Sequence, residues 1–115
     1  MMNFDKPRYN KRFPLFAIAD LKHDNETVTA MVDNFSLTGM GLYCIHPVRV
    51  DTELEGEVKF VTREGVQGSE RIKGRVVWTI RHKEIYMLGI AFERPLSEEE
   101  HPRLYQLYHS LLNLY

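Results

Sequence analysis

The chain has 115 residues, 43% of them hydrophobic and 27% charged, and a formal net charge of -1. That is the size and balance of one soluble globular domain, large enough to bury a core without disulfides or metals. The near-neutral charge argues against a general nucleic-acid binder, and a single cysteine excludes an internal disulfide.

Residues 1–13, MMNFDKPRYNKRF, place Lys6, Arg8, Lys11 and Arg12 around Pro7. Proline interrupts a helix, and so polar a segment cannot bury enough surface to order itself, so it reads as a flexible N-terminal arm. No apolar stretch follows its charges, as a secretory signal would require. No apolar run approaches the ~18 residues that span a membrane. The chain is therefore expected to be cytoplasmic. Asn25-Glu26-Thr27 and Asn34-Phe35-Ser36 fit the glycosylation pattern but have no meaning there.

A β-rich domain is expected over residues 14–115. PLFAIADLKH carries Phe16, Ile18 and Leu21 in a strand-like run, and ETVTAMVD alternates Val28, Ala30 and Val32 with Thr27, Thr29 and Met31. After a polar bend, MGLYCI is a short strand. ELEGEVKFV follows, with Leu54, Val58, Phe60 and Val61. GVQGS supplies two glycines for a hairpin loop. RIKGRVVWTIRH alternates Ile72, Val76, Trp78 and Ile80 with Arg71, Lys73, Arg75 and Arg81, and IYMLGIAFE is the last strand. Six short strands punctuated by turns predict a closed or nearly closed all-β barrel.

The tail changes period. Leu104, Leu107, Tyr108, Leu111, Leu112 and Tyr115 recur at helical spacing, so a C-terminal helix is expected over about 97–115. Ser97 and Glu100 form a capping-box pattern, but Pro102 conflicts with a helix begun at Ser97. Either Ser97 to Glu100 is a separate turn or the main helix begins near Pro102. The leucine stripe is read as packing on the barrel.

Catalytic and metal readings fail. The five histidines lack ligand-type spacing. Cys44 sits between apolar neighbours and reads as an inert buried thiol. Glu98, Glu99 and Glu100 suit the start of a helix, where carboxylates are favoured by the dipole. The chain is not expected to be an enzyme or to hold a cofactor or metal.

Two patterns remain. RYNKR sets Arg8 and Arg12 four residues apart, and NFSLTG sets Asn34, Ser36 and Gly39 in Asn-x-Ser-x-x-Gly order. Each alone has a bland reading: a solvated charge cluster and an ordinary turn. In this order, with strands between them, they resemble the R-x-x-x-R and [D/N]-x-S-x-x-G motifs of the PilZ domain family. GMGLY, GRVVW (Gly74 to Trp78) and LGIAF (Leu88 to Phe92) extend the resemblance over almost the whole chain.

The resemblance implies a six-stranded antiparallel PilZ-like barrel with a C-terminal helix. It also implies a single-domain bacterial receptor for cyclic-di-GMP. The ligand set carried over is Arg8, Arg12, Asn34, Ser36 and Gly39. Arginine can pair bidentately with guanine O6 and N7, grip phosphate or stack on a base. Asn34 can meet a guanine edge, Ser36 can contact the ligand or fix the turn, and Gly39 can allow close approach or a positive φ. Asn34 stands where the motif also takes Asp, and Pro7 precedes Arg8. The arm is expected to close over the ligand and signal to a protein partner in motility, pilus, flagellar or biofilm control. The alternative is a PilZ-like interaction module that does not bind the nucleotide. A third reading, a barrel binding single-stranded nucleic acid through aromatics and arginine, conflicts with the slightly acidic balance.

Overall fold

The computed structural model describes residues 11–114. Arg8 and the remainder of residues 1–10, on which much of the arm reading falls, lie outside the described residues. Seven strands are present among the described residues: β1 (Phe13–Pro14), β2 (Ala17–His23), β3 (Glu26–Phe35), β4 (Gly39–Cys44), β5 (Glu53–Thr62), β6 (Gly65–His82) and β7 (Ile85–Phe92). One helix, α1 (Pro102–Leu114), follows them.

The longer strands pair in the order β3-β2-β5-β6-β7-β4, and β4 pairs back onto β3. Every pairing is antiparallel. The result is a closed six-strand ring, which leaves no open sheet edge between these strands. β1 is a short addition that pairs with the end of β3, Phe13 opposite Phe35 and Pro14 opposite Asn34. The all-β class with a C-terminal helix is as the sequence predicts.

The interior is filled by alternating residues. Val28, Ala30 and Val32 of β3 point inward, as do Leu54, Val58 and Phe60 of β5. On β2 the inward set is Ala17, Ala19 and Leu21, whereas Phe16 is 85% exposed. The apolar run there thus begins on the opposite phase from the one its large side chains suggest. The outer face of β2, β5 and early β6 is charged. Lys22, Glu55 and Lys73 share one cross-strand row, and Asp20, Glu57 and Arg71 share the next.

Three boundaries and one assignment of faces differ from the sequence reading. Phe13 is not arm: it is buried in the core. GVQGS is not a loop. The turn lies at Arg63-Glu64, and β6 starts at Gly65, which takes a φ of 104°. Helix α1 starts at Pro102 rather than at Ser97. Proline is at home at the first helical position, where its missing N–H would have no partner. Residues 98–100 form a separate turn, in which the Ser97 hydroxyl accepts from Glu100 N at 3.1 Å. The fourth difference, at Trp78 and Ile80, concerns the site.

Leu104 and Tyr108 of α1 are fully buried and join the same core as Phe13 and Phe35. Glu70 of β6 holds the helix start. Its carboxylate accepts from Arg103 N at 2.5 Å and from Leu104 N at 3.0 Å. A carboxylate here satisfies otherwise unpaired N–H groups and meets the positive end of the helix dipole. Arg103 adds a hydrogen bond to the Gln67 carbonyl and lies 4.2 Å over the Phe60 ring. No helix among the described residues is long and apolar enough to cross a membrane.

Candidate functional site

A one-residue irregularity in β3 sets the direction of Asn34. The β3–β4 register shifts between Val32 and Asn34, leaving Asp33 as the extra residue. Strand alternation would otherwise put Asn34 on the same face as Val32, in the core. The bulge moves it outside and restores Phe35 to the interior, where it is fully buried. Asn34 then lies across Gly41, where an added Cβ would sit 3.0 Å from its amide.

Asn34 is held on both sides. Arg12 Nη1 donates to Asn34 Oδ1 at 2.7 Å, and Asn34 Nδ2 donates to Asp33 Oδ2 at 2.8 Å. Arg12 itself is exposed, and its Nη2 comes 3.6 Å from the position of a Cβ at Gly39. The arginine thus spans from the end of β3 to the start of β4.

Ser36, in the bend that follows β3, is buried. Its N–H donates to the Gly39 carbonyl at 2.9 Å, and its Oγ accepts from Thr38 N at 3.2 Å. The bend is also held from the far side of the chain. Phe92 N donates to the Thr38 carbonyl at 2.9 Å and Leu96 N to the Leu37 carbonyl at 2.8 Å. In this structure Ser36 therefore fixes the turn. Gly39 does not use a positive φ; the glycines that do, among the described residues, are Gly65 and Gly68. Its reason is close approach, since a Cβ there would sit 2.5 Å from the Ile90 carbonyl oxygen of β7.

A second bulge matches the first. The β6–β7 register shifts between Val76 and Trp78, with Val77 as the extra residue. Val76 is fully buried, whereas Trp78 is 41% exposed and Ile80 58%. The expected single face for Val76, Trp78 and Ile80 is thus broken at Val77. Trp78 turns outward and lies on Gly89, where any Cβ would collide with its indole.

Register then joins the two bulges. Asn34 pairs with Gly41, Gly41 with Gly89, and Gly89 with Trp78. One row on the outer surface carries an amide at one end, an indole at the other and only glycines between. The next row of the same face, Met31, Tyr43, Met87 and Ile80, is apolar and exposed. It contrasts with the charged rows of β2, β5 and early β6.

Comparison with known proteins decides the family. The PilZ domain model matches residues 6–110. The chain belongs to the PilZ family. Among solved structures it is similar to the Bacillus subtilis inhibitor of motility MotI (DgrA). There the TM-score is 0.67 at 11% identity, over 89% of this chain and 50% of that one. It is also similar to the Escherichia coli YcgR PilZ domain with c-di-GMP, with a TM-score of 0.62 at 18% identity over 87% of both chains. A third is Borreliella burgdorferi PlzA in complex with c-di-GMP, with a TM-score of 0.57 at 11% identity, over 97% of this chain and 55% of that one. This chain spans about half the length of the Bacillus and Borreliella proteins. At such identities the likeness is one of fold. The comparison with curated proteins gave no match.

Of the residues singled out from the PilZ resemblance, the structure brings Arg12, Asn34 and Gly39 together, and Ser36 is buried in the adjoining bend, bonded to Gly39. Arg8 lies outside the described residues. Trp78 escapes a reading by alternation, which assigns it to the core. The signal in the sequence is Gly89, whose lack of a side chain leaves the indole its bed. No group of three metal-ligating side chains occurs among the described residues. Cys44 is buried, and its burial raises the thiol pKa above the ordinary value, which keeps it protonated.

Proposed function

We propose that this PilZ domain is a cyclic-di-GMP receptor, binding at the outer row that runs from Arg12 and Asn34 towards Trp78. The observation that carries the reading is the 2.7 Å contact between Arg12 and Asn34, made on the outer face in line with an exposed indole. A guanine nucleotide needs a planar cation for its O6/N7 edge or phosphate, an amide for a base edge, and a flat surface to stack on. All three are within one stretch of this surface. Arg8, on the segment before Lys11, is the further cation of the motif. Ser36 and Gly39 serve the site by shaping the bend rather than through free polar atoms.

In this reading the segment carrying Arg8 changes conformation when the ligand binds, and the altered surface signals to a protein in motility, pilus or biofilm control. The likeness to a motility inhibitor supports a motility output. A cytoplasmic location follows from the ligand, an intracellular second messenger. A second reading, a PilZ interaction module that binds no nucleotide, is favoured by the exposed row of Met31, Tyr43, Met87 and Ile80.

Calorimetric titration of the purified chain separates the two. Saturable binding of cyclic-di-GMP, with none of GMP or an oligonucleotide, is expected. Absence of cyclic-di-GMP binding leaves the interaction module. Amide exchange of residues 1–12 is expected to slow at saturating ligand, and equal exchange with and without ligand would remove the arm from the switch.

A further inference from the structure

Tyr108 is the largest fully buried side chain among the described residues, yet it reaches towards the site from the core side. Its hydroxyl donates to the Lys11 carbonyl at 3.0 Å, immediately before Arg12. Its ring meets Phe13, immediately after Arg12, edge-on at 5.3 Å and 71°. It meets Phe35, immediately after Asn34, in the same way at 5.9 Å and 79°. Phe13 and Phe35 are themselves register partners. One helical side chain thus touches both sequence neighbours of Arg12 and one of Asn34.

We infer that Tyr108 is a positioning residue, holding the backbone of Arg12 in register with the end of β3 so that Arg12 and Asn34 meet on the opposite side. The strand pairing alone is a weak guide. β1 has two residues, far shorter than the ~5–6 of an ordinary strand, and so few rungs fix a backbone poorly. Apolar contact with two phenylalanines sets the depth of the chain, and the phenol hydrogen bond sets where along the chain it is gripped. Burial raises the pKa of the phenol above its ordinary value, so it is a neutral donor across the physiological range. The start of α1 is anchored separately by Glu70, so loss of the phenol bond does not free the helix. The grip also works in reverse. Whatever bridges Arg12 and Asn34 from outside strengthens the docking of α1 on the ring, because coupling between two sites is reciprocal.

The variant that isolates the hydroxyl is Tyr108→Phe, which keeps the ring contacts. Val28→Ala, a core truncation near the other end of β3, controls for general loss of stability. The affinity arm of the experiment rests on the proposed cyclic-di-GMP binding; the spectroscopic arm does not. Tyr108→Phe should weaken cyclic-di-GMP binding on the order of fivefold, the scale of one hydrogen bond. In the free protein it should shift the Asn34 side-chain amide resonances. Val28→Ala should leave both near wild type. Wild-type affinity in Tyr108→Phe, or an equal loss in Val28→Ala, overturns the inference. Should the unmodified chain bind no cyclic-di-GMP, the proposed function fails, and the free-protein Asn34 resonances decide alone. Their displacement in Tyr108→Phe but not Val28→Ala supports the positioning role, and any other pattern overturns it.

Discussion

Asn34 and Trp78 stand at the two ends of one cross-strand row, with Gly41 and Gly89 between them. Each is turned outward by a bulge immediately before it, at Asp33 and at Val77. A bulge re-aims a side chain while pairing resumes beyond it, so the core keeps Phe35 and Val76 while the surface gains an amide and an indole.

Trp78 provides the first test. It is the chain's one tryptophan, so selectively excited tryptophan emission reports on this surface alone. Titration with cyclic-di-GMP should change its emission. Trp78→Ala should weaken binding by ~1–3 kcal/mol, the scale of stacking one base on an aromatic ring. The fold should survive, because the indole lies outside the core. Undiminished affinity in a folded Trp78→Ala protein would confine the site to the β3 end of the row.

The Arg12–Asn34 contact should appear as coupling. Arg12→Ala and Asn34→Ala are each expected to cost ~1–3 kcal/mol of binding, the scale of a bidentate base contact. Because the two groups are bonded to each other, the double variant should lose less than the sum. Calorimetry on all four proteins completes the cycle. Strict additivity would mean that they act on the ligand independently.

The legible part of this protein is what repeats with a fixed period. β3 and β5 show their inward faces through simple alternation, and the helix shows its stripe. Asn34 is found by motif, not by period, since one extra residue at Asp33 reverses its face without any local mark. Trp78 is misassigned by alternation for the same reason. Glu70 cannot be found at all: a glutamate in a strand looks solvated until the fold brings it to the start of a helix 33 positions on. Tyr108 is legible as a helix core residue, but not its bond to Lys11, 97 positions away.

Gly39 should prove to be a folding residue first. A Cβ there would stand 2.5 Å from the Ile90 carbonyl, a backbone atom that cannot rotate away. Gly39→Ala should therefore destabilise the chain by about 1–3 kcal/mol, the usual cost of overpacking. Gly39→Val should cost more. Urea denaturation measures both. A Gly39→Ala protein as stable as wild type would show that β4 and β7 can separate freely at this point.

Glu70 should matter through the helix it does not belong to. Glu70→Ala is expected to cost about 0.5–2 kcal/mol, the range of a lost N-terminal cap, and Glu70→Gln less because the amide oxygen still accepts. The helix signal in circular dichroism should decrease earlier in the denaturation of Glu70→Ala than the ring's near-ultraviolet signal. Coincident, unshifted transitions would mean that Tyr108 and Leu104 hold α1 without the cap.

The acid limb of stability has a specific contributor on the charged face. Lys59 Nζ lies 2.8 Å from Asp20 Oδ2, and Thr29 Oγ1 donates to Asp20 Oδ1 at 2.9 Å. The Lys59 hydrogen bond is the main cause that lowers the Asp20 pKa below its ordinary value of 3.8, against a smaller opposing effect of burial. The folded state therefore takes up this proton less readily than the unfolded chain. The stabilisation is fully present above the ordinary carboxylate value and is lost as pH falls from there through the lower folded value. Asp20→Asn removes the charge and keeps an acceptor for Thr29. Wild type should be somewhat more stable than Asp20→Asn in urea at pH 7, by the small margin of a partly exposed pair. The gap should narrow as the pH is taken below the ordinary value, because a protonated Asp20 lacks the charge that Lys59 requires, just as the amide of the variant does. An unchanged gap across that range would show that packing at Asp20, not its charge, makes the difference.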